Sequence, residues 1–563
     1  MIKQDIQKAL AGVIHELWAG SGMTETDIEV VKPNNNQADY ANSSAFVLGK
    51  RLSLNLVEVA SKIASALKGK ISGVSKIETS GGFVNFFVTS GYLQEELLHV
   101  SQQEHYGRND SLKGKTIMVE YTDPNPFKLF HIGHLMSNTI GESIARLYTA
   151  SGAKVLRVNY QGDVGMHVAK AIWGMKKEKT LPRDLVMEKI AHAYSFGSKS
   201  YEDAEEENET KGEIQEINQK IYEKSDSEIN ELYQKGREGS LNYFEEMYKR
   251  LGTKFDHYFF ESEVADDGLK IVRSRPDIFK ESQGAVVFEG EPFGLHTRVF
   301  VNSKGLPTYE AKELGVNKKK FNEHHPDLSV IVTGNEINEY FKVLMRVMEL
   351  IMPDVGSKTR HISHGMMRLP TGKMSSRTGD VVTADSLIDQ TKEKLKEKEN
   401  QETDDSTREA VAIGAIKYSI LKQSPGKDII FDFDKSLAVK GDSGPYLQYT
   451  YARLKAIIAK TGDTVNQKAD IGKLIQESEL ALIKHLLEFP DVIKESSETL
   501  SPQHVALYVF ELANLANNFY EKVHILKDED PARMSARLLL IRVTTEVISH
   551  GLSVLGIKTP ERI

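Results

Sequence analysis

Two short segments carry residues whose types and spacing suit phosphate chemistry. His131-Ile132-Gly133-His134 follows a proline-broken loop, Thr122 to Phe130, and opens a stretch in which Met136, Ile140, Ile144 and Leu147 recur at helical spacing. A helix N-terminus offers unpaired N–H groups and a partial positive charge, and both favour phosphate. Gly133 would allow close backbone approach to a ligand. The imidazoles of His131 and His134 can donate to phosphate oxygens as charge develops. The second segment, Gly372-Lys373-Met374-Ser375-Ser376-Arg377, follows Leu369-Pro370-Thr371. A glycine-flanked loop with a lysine and two hydroxyls, Ser375 and Ser376, can act as a mobile phosphate clamp, and Lys373 supplies a charge able to follow departing pyrophosphate. It is not a P-loop, because the upstream glycine is misplaced and Met374 follows the lysine. Each segment alone also has an ordinary reading, as helix-capping histidines or as a basic surface loop.

Together they resemble the HIGH and KMSKS signatures of the class I aminoacyl-tRNA synthetases, with Arg377 in place of the final serine. The flanking residues are similar to the arginyl enzymes of that class. Val119-Glu120-Tyr121-Thr122-Asp123-Pro124-Asn125-Pro126-Phe127-Lys128 resembles their V-E-x-x-x-P-N-x-x-K, and Asn159 to Gly165 resembles N-Y-x-G-D-x-G. Gly444-Pro445-Tyr446-Leu447-Gln448-Tyr449-Thr450-Tyr451-Ala452-Arg453 is similar to the opening of their helical anticodon-binding domain. Asp39-Tyr40-Ala41 and Gly82-Phe83-Val84-Asn85 resemble their N-terminal domain, which contacts the tRNA D-loop.

The resemblance covers essentially the whole chain and implies an activity. Arginine attacks the α-phosphate of Mg-ATP to give arginyl-adenylate and pyrophosphate. The 3′-terminal ribose of tRNA(Arg) then takes the arginyl group and AMP leaves. It also implies roles. His131, Gly133, His134, Lys373, Ser375 and Ser376 act in catalysis. Pro124, Lys128, Gly162, Asp163 and Met374 join the two histidines in holding ATP. Glu120 pairs with the arginine guanidinium, Asn125 holds the amino-acid backbone, and Tyr309 with Glu313 matches a Y-x-x-x-D pattern. Phe83, Asn85, Tyr446, Gln448, Tyr451 and Arg453 face tRNA, as would Arg533, Arg537 and Arg542 further along. A guanidinium is always charged and presents a planar fork of donors, so a carboxylate is its natural partner. The chain departs from the pattern at Glu313, where aspartate is usual, at His167, where glutamine is usual, and near Ile337, where a glutamine would precede Tyr340-Phe341.

These residues need a parallel sheet to position them. Thr116 to Glu120 is a short apolar run suited to a buried strand, and Gly152 ends the helix that follows the histidines. Lys154 to Tyr160 is the next strand, completing a βαβ unit. Strand-like runs return at Gly284 to Phe288 and at Leu328 to Val332. The expected fold is α/β and multidomain. It comprises an N-terminal α/β domain (1–112), a Rossmann-type catalytic domain (113–385), a connecting region (386–440) and a helical anticodon-binding domain (441–563). An insertion spans about 178–300. Its part from 178 to about 250 is highly charged, and the plain reading of that part is an inserted helical hairpin with no chemistry.

At 563 residues the chain is too long for one core, and its 40% apolar content suits a globular protein. The net charge of −8 means that tRNA contacts must use local basic patches. There are no cysteines, which excludes disulfides, cysteine nucleophiles and the cysteine-bearing zinc site of the cysteinyl synthetases. ATP with Mg2+ is expected, without structural zinc. A monomeric, cytoplasmic protein with no membrane contact is expected. A rival reading is a smaller nucleotidyltransferase sharing HIGH, which would lack the helical tail.

Overall fold

The computed structural model describes residues 2–563 except 34–37, 206–207, 371–381, 399–402 and 462–468. The chain forms two compact units. The first joins Met1–Glu104 with Lys460–Leu487 and Leu515–Thr544; the second comprises His105–Ala459, Glu488–Asn514 and Thr545–Ile563.

The first unit begins with α1 (Ile2–Leu17), whose Ile6, Leu10 and Ile14 are buried at helical spacing. Strands β1 (Val30–Val31), β2 (Tyr40–Asn42), β3 (Val74–Ser80) and β4 (Phe83–Val88) form an antiparallel sheet in the order β1-β2-β4-β3. Helices α2 (Ser44–Leu52), α3 (Leu56–Leu67) and α4 (Ser90–Ser101) complete this part of the chain. Ile63, Leu67, Val84 and Phe86 join the same core as α1.

The second unit is built on a parallel sheet. β5 (Thr116–Glu120) is followed by α5 (Ile132–Ala150), β6 (Lys154–Gln161) and α6 (Met166–Lys177). Helices α7 (Met187–Asp203), α8 (Glu209–Glu223) and α9 (Ser227–Leu251) come next, then β7 (His257–Phe260) and α10 (Glu261–Arg273). β8 (Phe279–Ser282), β9 (Ala285–Phe288) and β10 (Arg298–Val301) make a separate small sheet. After α11 (Tyr309–His324) the chain returns to the main sheet through β11 (Leu328–Gly334), α12 (Asn338–Ile351), α13 (Pro353–Ser357) and β12 (Thr359–His364). The main sheet has the order β12-β11-β5-β6-β7. The chain therefore reverses direction across the sheet between β5 and β11. In such doubly wound sheets the ligand crevice lies outside the carboxyl ends of the strands at this switch point. Met118, Val119, Val330 and Val332 are fully buried, as strands covered on both faces require.

The remaining elements are α14 (Ala384–Lys398), α15 (Asp405–Leu421), α16 (Phe433–Ser436), α17 (Gly444–Ala459), α18 (Glu477–Leu486), α19 (Phe489–Thr499), α20 (Gln503–Lys522) and α21 (Pro531–Val554), with a short parallel pair, β13 (Met367–Arg368) and β14 (Ile429–Ile430). The tail is helical throughout its described residues, as its sequence suggests. One expectation needs correction. The stretch 178–300 is not one insertion, because β7 within it is the edge strand of the main sheet. The helices of the tail are divided between the two units. Among the described residues no helix is long and apolar enough to cross a membrane.

Candidate active site at the carboxyl ends of the parallel strands

His131 is the N-cap of α5. Its Nδ1 accepts from Gly133 N at 3.0 Å and His134 N at 3.4 Å, while His134 Nδ1 accepts from His131 N at 3.2 Å. This reciprocal box satisfies the helix's orphan donors with two imidazoles. The rings stack with centroids 3.6 Å apart and planes at 19°. A Cβ on residue 133 would sit 2.8 Å from His131 Cε1. Gly133 is thus needed because the His131 ring folds over it, a nearer reason than approach to a ligand. Burial, then the Lys128 ammonium and His364, lowers His131 to about 4. Burial, then His131 itself, holds His134 well below its ordinary value. Both rings are neutral at pH 7, and with Nδ1 accepting in each, the ring proton sits on Nε2. The pair therefore presents two Nε2–H donors that do not change charge near neutrality.

Glu120 ends β5 at the switch point and is 1% exposed. Its carboxylate lies 2.5 Å from Lys320 Nζ, an equally buried ammonium on α11, although the approach lacks hydrogen-bond geometry. Tyr309, Glu313, Asn317 and Lys320 follow one another at spacings of four, four and three, so they share one face of α11. Glu313 accepts from Asn317 Nδ2 at 3.3 Å. Burial and the neighbouring Glu120 charge push Glu313 up to about 8. Tyr309 is 57% exposed and opens toward solvent, so it is no core residue. Glu261, the first residue of α10, is buried and takes a 2.6 Å hydrogen bond from Lys312 Nζ. A Cβ on Gly162 would meet Asn125 Oδ1 at 2.4 Å and Glu261 Oε1 at 3.1 Å, which places Asn125 beside this group. Tyr160 Oη is buried without a hydrogen-bond partner, and its hydroxyl feels Glu261, Glu313 and Glu120. The result is a crevice in which Glu120, Glu261 and Glu313 outnumber the two buried ammoniums, Lys320 and Lys312, beside a Tyr160 hydroxyl with no hydrogen-bond partner among the described residues, chemistry suited to a cationic ligand.

The loop from β5 to α5 is strained. Thr122, Asp123 and Phe127 have φ of 80°, 43° and 70°, which cost on the order of 1–3 kcal/mol each outside glycine. The surroundings hold them there. Thr122 N donates to Ser137 Oγ at 2.9 Å, Tyr160 N to Asp123 Oδ1 at 2.8 Å and Phe127 N to Ser240 Oγ at 2.9 Å. Pro124 is buried in this loop, and Lys128 extends over the Tyr194 ring at 5.2 Å. Asp163 is fully buried and accepts from Tyr233 Oη, Arg237 Nε and both the N and Oγ of Ser262. Expected to hold ATP, Asp163 is instead consumed as a tie between β6, α9 and α10. His167 donates to the Gly162 carbonyl at 2.8 Å and braces the same turn. Helix α9 is therefore no bland insertion: it grips the loop that carries Asn125 and Lys128.

Three signatures cover the chain in order: "Arginyl tRNA synthetase N terminal domain" at residues 1–88, "tRNA synthetases class I (R), catalytic domain" at 95–433 and "DALR anticodon binding domain" at 447–563. The chain belongs to the arginyl-tRNA synthetase family. It is similar to the arginine–tRNA ligase of Clostridium acetobutylicum, with 29% identity over 99% of this chain and 100% of that one. It is 31% identical to that of Clostridium botulinum strain 657, over 96% of this chain and 98% of the relative. Its fold matches the Thermus thermophilus arginyl-tRNA synthetase with a TM-score of 0.82 at 22% identity, each chain covered completely. The Plasmodium falciparum arginyl-tRNA synthetase gives 0.80 at 22% identity, over 100% of this chain and 99% of that one. The family is one of ligases that charge tRNA(Arg) with arginine, with a class I, ATP-using catalytic domain.

The synthetase residues Lys373, Met374, Ser375 and Ser376 lie outside the described residues. Just beyond them, Thr383 bridges to His131 and Ala384 N donates to Phe130 O at 2.9 Å, so the chain leaving the second motif is fastened to the first. Several tRNA expectations are corrected. Gln448 is fully buried and donates to the Ala410 and Lys558 carbonyls at 3.1 and 2.8 Å, and Tyr451 is 9% exposed. Tyr446 is half-buried and bonded to Asn514 at 2.8 Å. The exposed face of α17 carries Tyr449 with Arg453, whose guanidinium lies 4.8 Å from the Tyr449 ring. Arg537 is buried between Glu479 and Asp528, Arg533 is paired with Asp528, and Arg542 donates to Ser101 O. In the N-terminal domain Phe83 is 44% exposed against Phe46, with centroids 5.0 Å apart, and Asn85 is half-buried. Sequence reasoning missed Lys320, Glu261, Tyr160, Tyr449 and His364, the last set near the two histidines. Ile337, near the missing glutamine, is 36% exposed.

Proposed function

We propose that this chain is an arginine–tRNA ligase whose arginine side-chain site is formed by Glu120 and Glu313 together with Lys320, and whose ATP site is formed around His131, His134 and Lys128. The observation that carries the reading is the buried Glu120–Lys320 pair on the same side of the sheet's switch point as Glu313, whose carboxyl burial and the Glu120 charge push up to about 8. The Glu120–Lys320 ion pair balances its own charge, and Glu313, pushed up to about 8, carries a proton below that pH. Arginine brings one further positive charge, and Glu313 answers it by ionising. Asn125, beside Gly162 and Glu261, is placed to hold the amino-acid backbone.

Activation then needs alignment and charge stabilisation more than a protein base. The neutral Nε2–H groups of His131 and His134 donate to phosphate oxygens as negative charge grows, and Lys373 follows the leaving pyrophosphate. Magnesium accompanies ATP. The donors around HIGH are ring nitrogens and an ammonium, a set suited to phosphate and not to a hard cation, so the ion would ride on the phosphates and neutralise their charge. The second step places the tRNA 3′ ribose at the same crevice. We take the enzyme to act as a single chain in the cytoplasm, with Tyr449 and Arg453 added to Phe83 and Asn85 as its tRNA-facing residues. Arginine-dependent ATP–pyrophosphate exchange, with and without tRNA(Arg), tests the reading. Exchange driven equally by another amino acid would overturn it.

A further inference from the structure

The far end of α11 carries a cluster that the ligase chemistry does not use. His257 opens β7, the edge strand of the parallel sheet, while Glu323 and His324 close α11. One ring nitrogen of each histidine and one carboxylate oxygen of Glu323 all lie within 4.8 Å of one another. We propose that these three side chains bind a first-row divalent cation of the zinc type and clip β7 to α11.

Several independent features favour a cation here. Two imidazoles and a carboxylate are a borderline donor set that suits zinc and its neighbours and suits magnesium poorly. In a tetrahedral site with bonds of about 2.0–2.2 Å, ligand atoms stand roughly 3.4 Å apart, so the donors need to close by about an ångström or so, which side-chain rotation supplies. His324 Nε2 is sealed from solvent and makes no hydrogen bond among the described residues. A buried ring nitrogen left that way is costly, and most such groups have a partner. The two rings meet edge to face, with centroids 5.2 Å apart and planes at 69°, which brings their nitrogens to one side of the contact with Glu323. Phe259 walls one side, 4.3 Å from His257 and 6.1 Å from His324. The negative end of the α11 dipole also points at the cluster. The nearby Glu263 is engaged by Lys319 at 2.9 Å, which leaves three protein donors and a fourth position for water.

The consequence is mechanical. Lys320 lies one turn before His324 on the helix that also carries Tyr309 and Glu313. A cation bound at the end of α11 would fix the register of that helix against the sheet. Adjacent Glu323 and His324 give little sequence cue for such a site without the distant His257, so it departs from the expectation of no structural zinc.

The test uses the full chain stripped with a chelator. Zn2+ is titrated in competition with a chromogenic chelator, and Co2+ serves as the spectroscopic probe. One equivalent of Zn2+ should bind tightly, raise the thermal unfolding midpoint, and displace a Co2+ species with the intense visible bands of tetrahedral geometry. Glu323→Gln should weaken Zn2+ binding roughly tenfold or more, and His257→Gln combined with His324→Gln should abolish the Co2+ bands. His192→Gln, a change at an exposed histidine elsewhere, should leave the titration unaltered. The assignment fails if the wild type binds no stoichiometric Zn2+. It fails equally if the double variant, or Glu323→Gln where the double variant does not fold, binds as tightly as the wild type.

Discussion

On the proposed reading arginine recognition turns on Glu313 and Lys320 beside Glu120, and both make it measurable. Burial and the Glu120 charge hold the Glu313 carboxyl at about 8 in the free enzyme. Below that pH it carries a proton that a bound guanidinium would expel. Arginine binding should therefore release close to one proton between about pH 6 and 8, and affinity should rise with pH by up to roughly tenfold per unit. Calorimetry in buffers of different ionisation enthalpy measures the proton count, and Glu313→Gln should reduce it to whatever share belongs to Asp123, whose carboxyl burial and the Glu120 charge also raise. The sign for stability is the opposite. A raised folded pKa contributes stability that is fully present below the unfolded value near 4.5 and is lost as pH rises through 8, so the empty enzyme should be less stable at pH 8.5 than at pH 6 as far as this group is concerned. The Glu120–Lys320 pair predicts an asymmetry. Glu120→Gln leaves a buried ammonium unpaired, which costs about 3–5 kcal/mol, and removes the guanidinium's partner. Lys320→Met leaves a carboxylate that arginine itself can neutralise. Thermal shifts on adding arginine should vanish in the first variant and exceed wild type in the second. Citrulline, a neutral isostere, should rescue neither. Equal arginine shifts in the two variants would mean that the pair only supports the fold.

At the scale of elements, the strained β5–α5 loop depends on α9. Ser240 takes the Phe127 N–H, and a Cβ on Gly236 would lie 2.3 Å from Phe127 Cε1. Gly236→Ala should push Phe127 and the loop outward, destabilising the unit by about 1–3 kcal/mol. Adenylate formation should slow more than the stability loss explains, because Asn125 and Lys128 move with the loop. Single-turnover kinetics below the unfolding transition would separate the two effects, and wild-type rates would remove α9 from the site. His134→Asn, made within the α5 capping box, should slow the same step by roughly a hundredfold or more in protein that unfolds at the wild-type temperature. These elements differ in how far the sequence discloses them. The histidine box is legible because it is local: a cap, a glycine and a helical repeat within a few turns. The Tyr309–Lys320 stripe was equally open to a helical reading, but only the first two positions match a motif, and burial of the last two is a tertiary fact. Gln448 and Tyr451 fail in the reverse way. A motif says which residues recur and not which face they occupy, and on α17 the outward face runs through Tyr449 and Arg453. β7 was lost within a charged stretch because a strand of four residues carries almost no periodic signal.

For the molecule as a whole, covalent order and compact units do not coincide, and this changes what truncation can report. The sequence marks 441–563 as a separable anticodon domain, yet the first unit takes Lys460–Leu487 and Leu515–Thr544 from it, and the second takes the rest. Within the first unit, Lys484 pairs with Asp39 at 2.5 Å, Gln94 donates to Leu474 O at 2.9 Å, and the buried Arg537 bridges Glu479 and Asp528. Within the second, Ser143 Oγ donates to Val554 O at 3.0 Å, and Lys417 Nζ donates to Leu251 O at 2.6 Å and Gly556 O at 2.8 Å. Burial lowers Lys417 to about 7, and those two carbonyls are what its ammonium has in place of water. Removing residues 445–563 would strand these groups and uncover core on both units. The shortened chain should lose cooperative unfolding and arginine binding together. A cleaner probe of tRNA contact leaves every core residue in place: Tyr449→Ala with Arg453→Ala. Charging of tRNA(Arg) should weaken, with the slope of affinity against salt reduced by roughly one unit for each lost phosphate contact, while arginine-dependent pyrophosphate exchange measured without tRNA stays as it was. A shortened chain that still folds cooperatively and binds arginine would show that the tail is an independent domain after all, and an unaltered salt slope in the double variant would move the tRNA-facing surface away from α17.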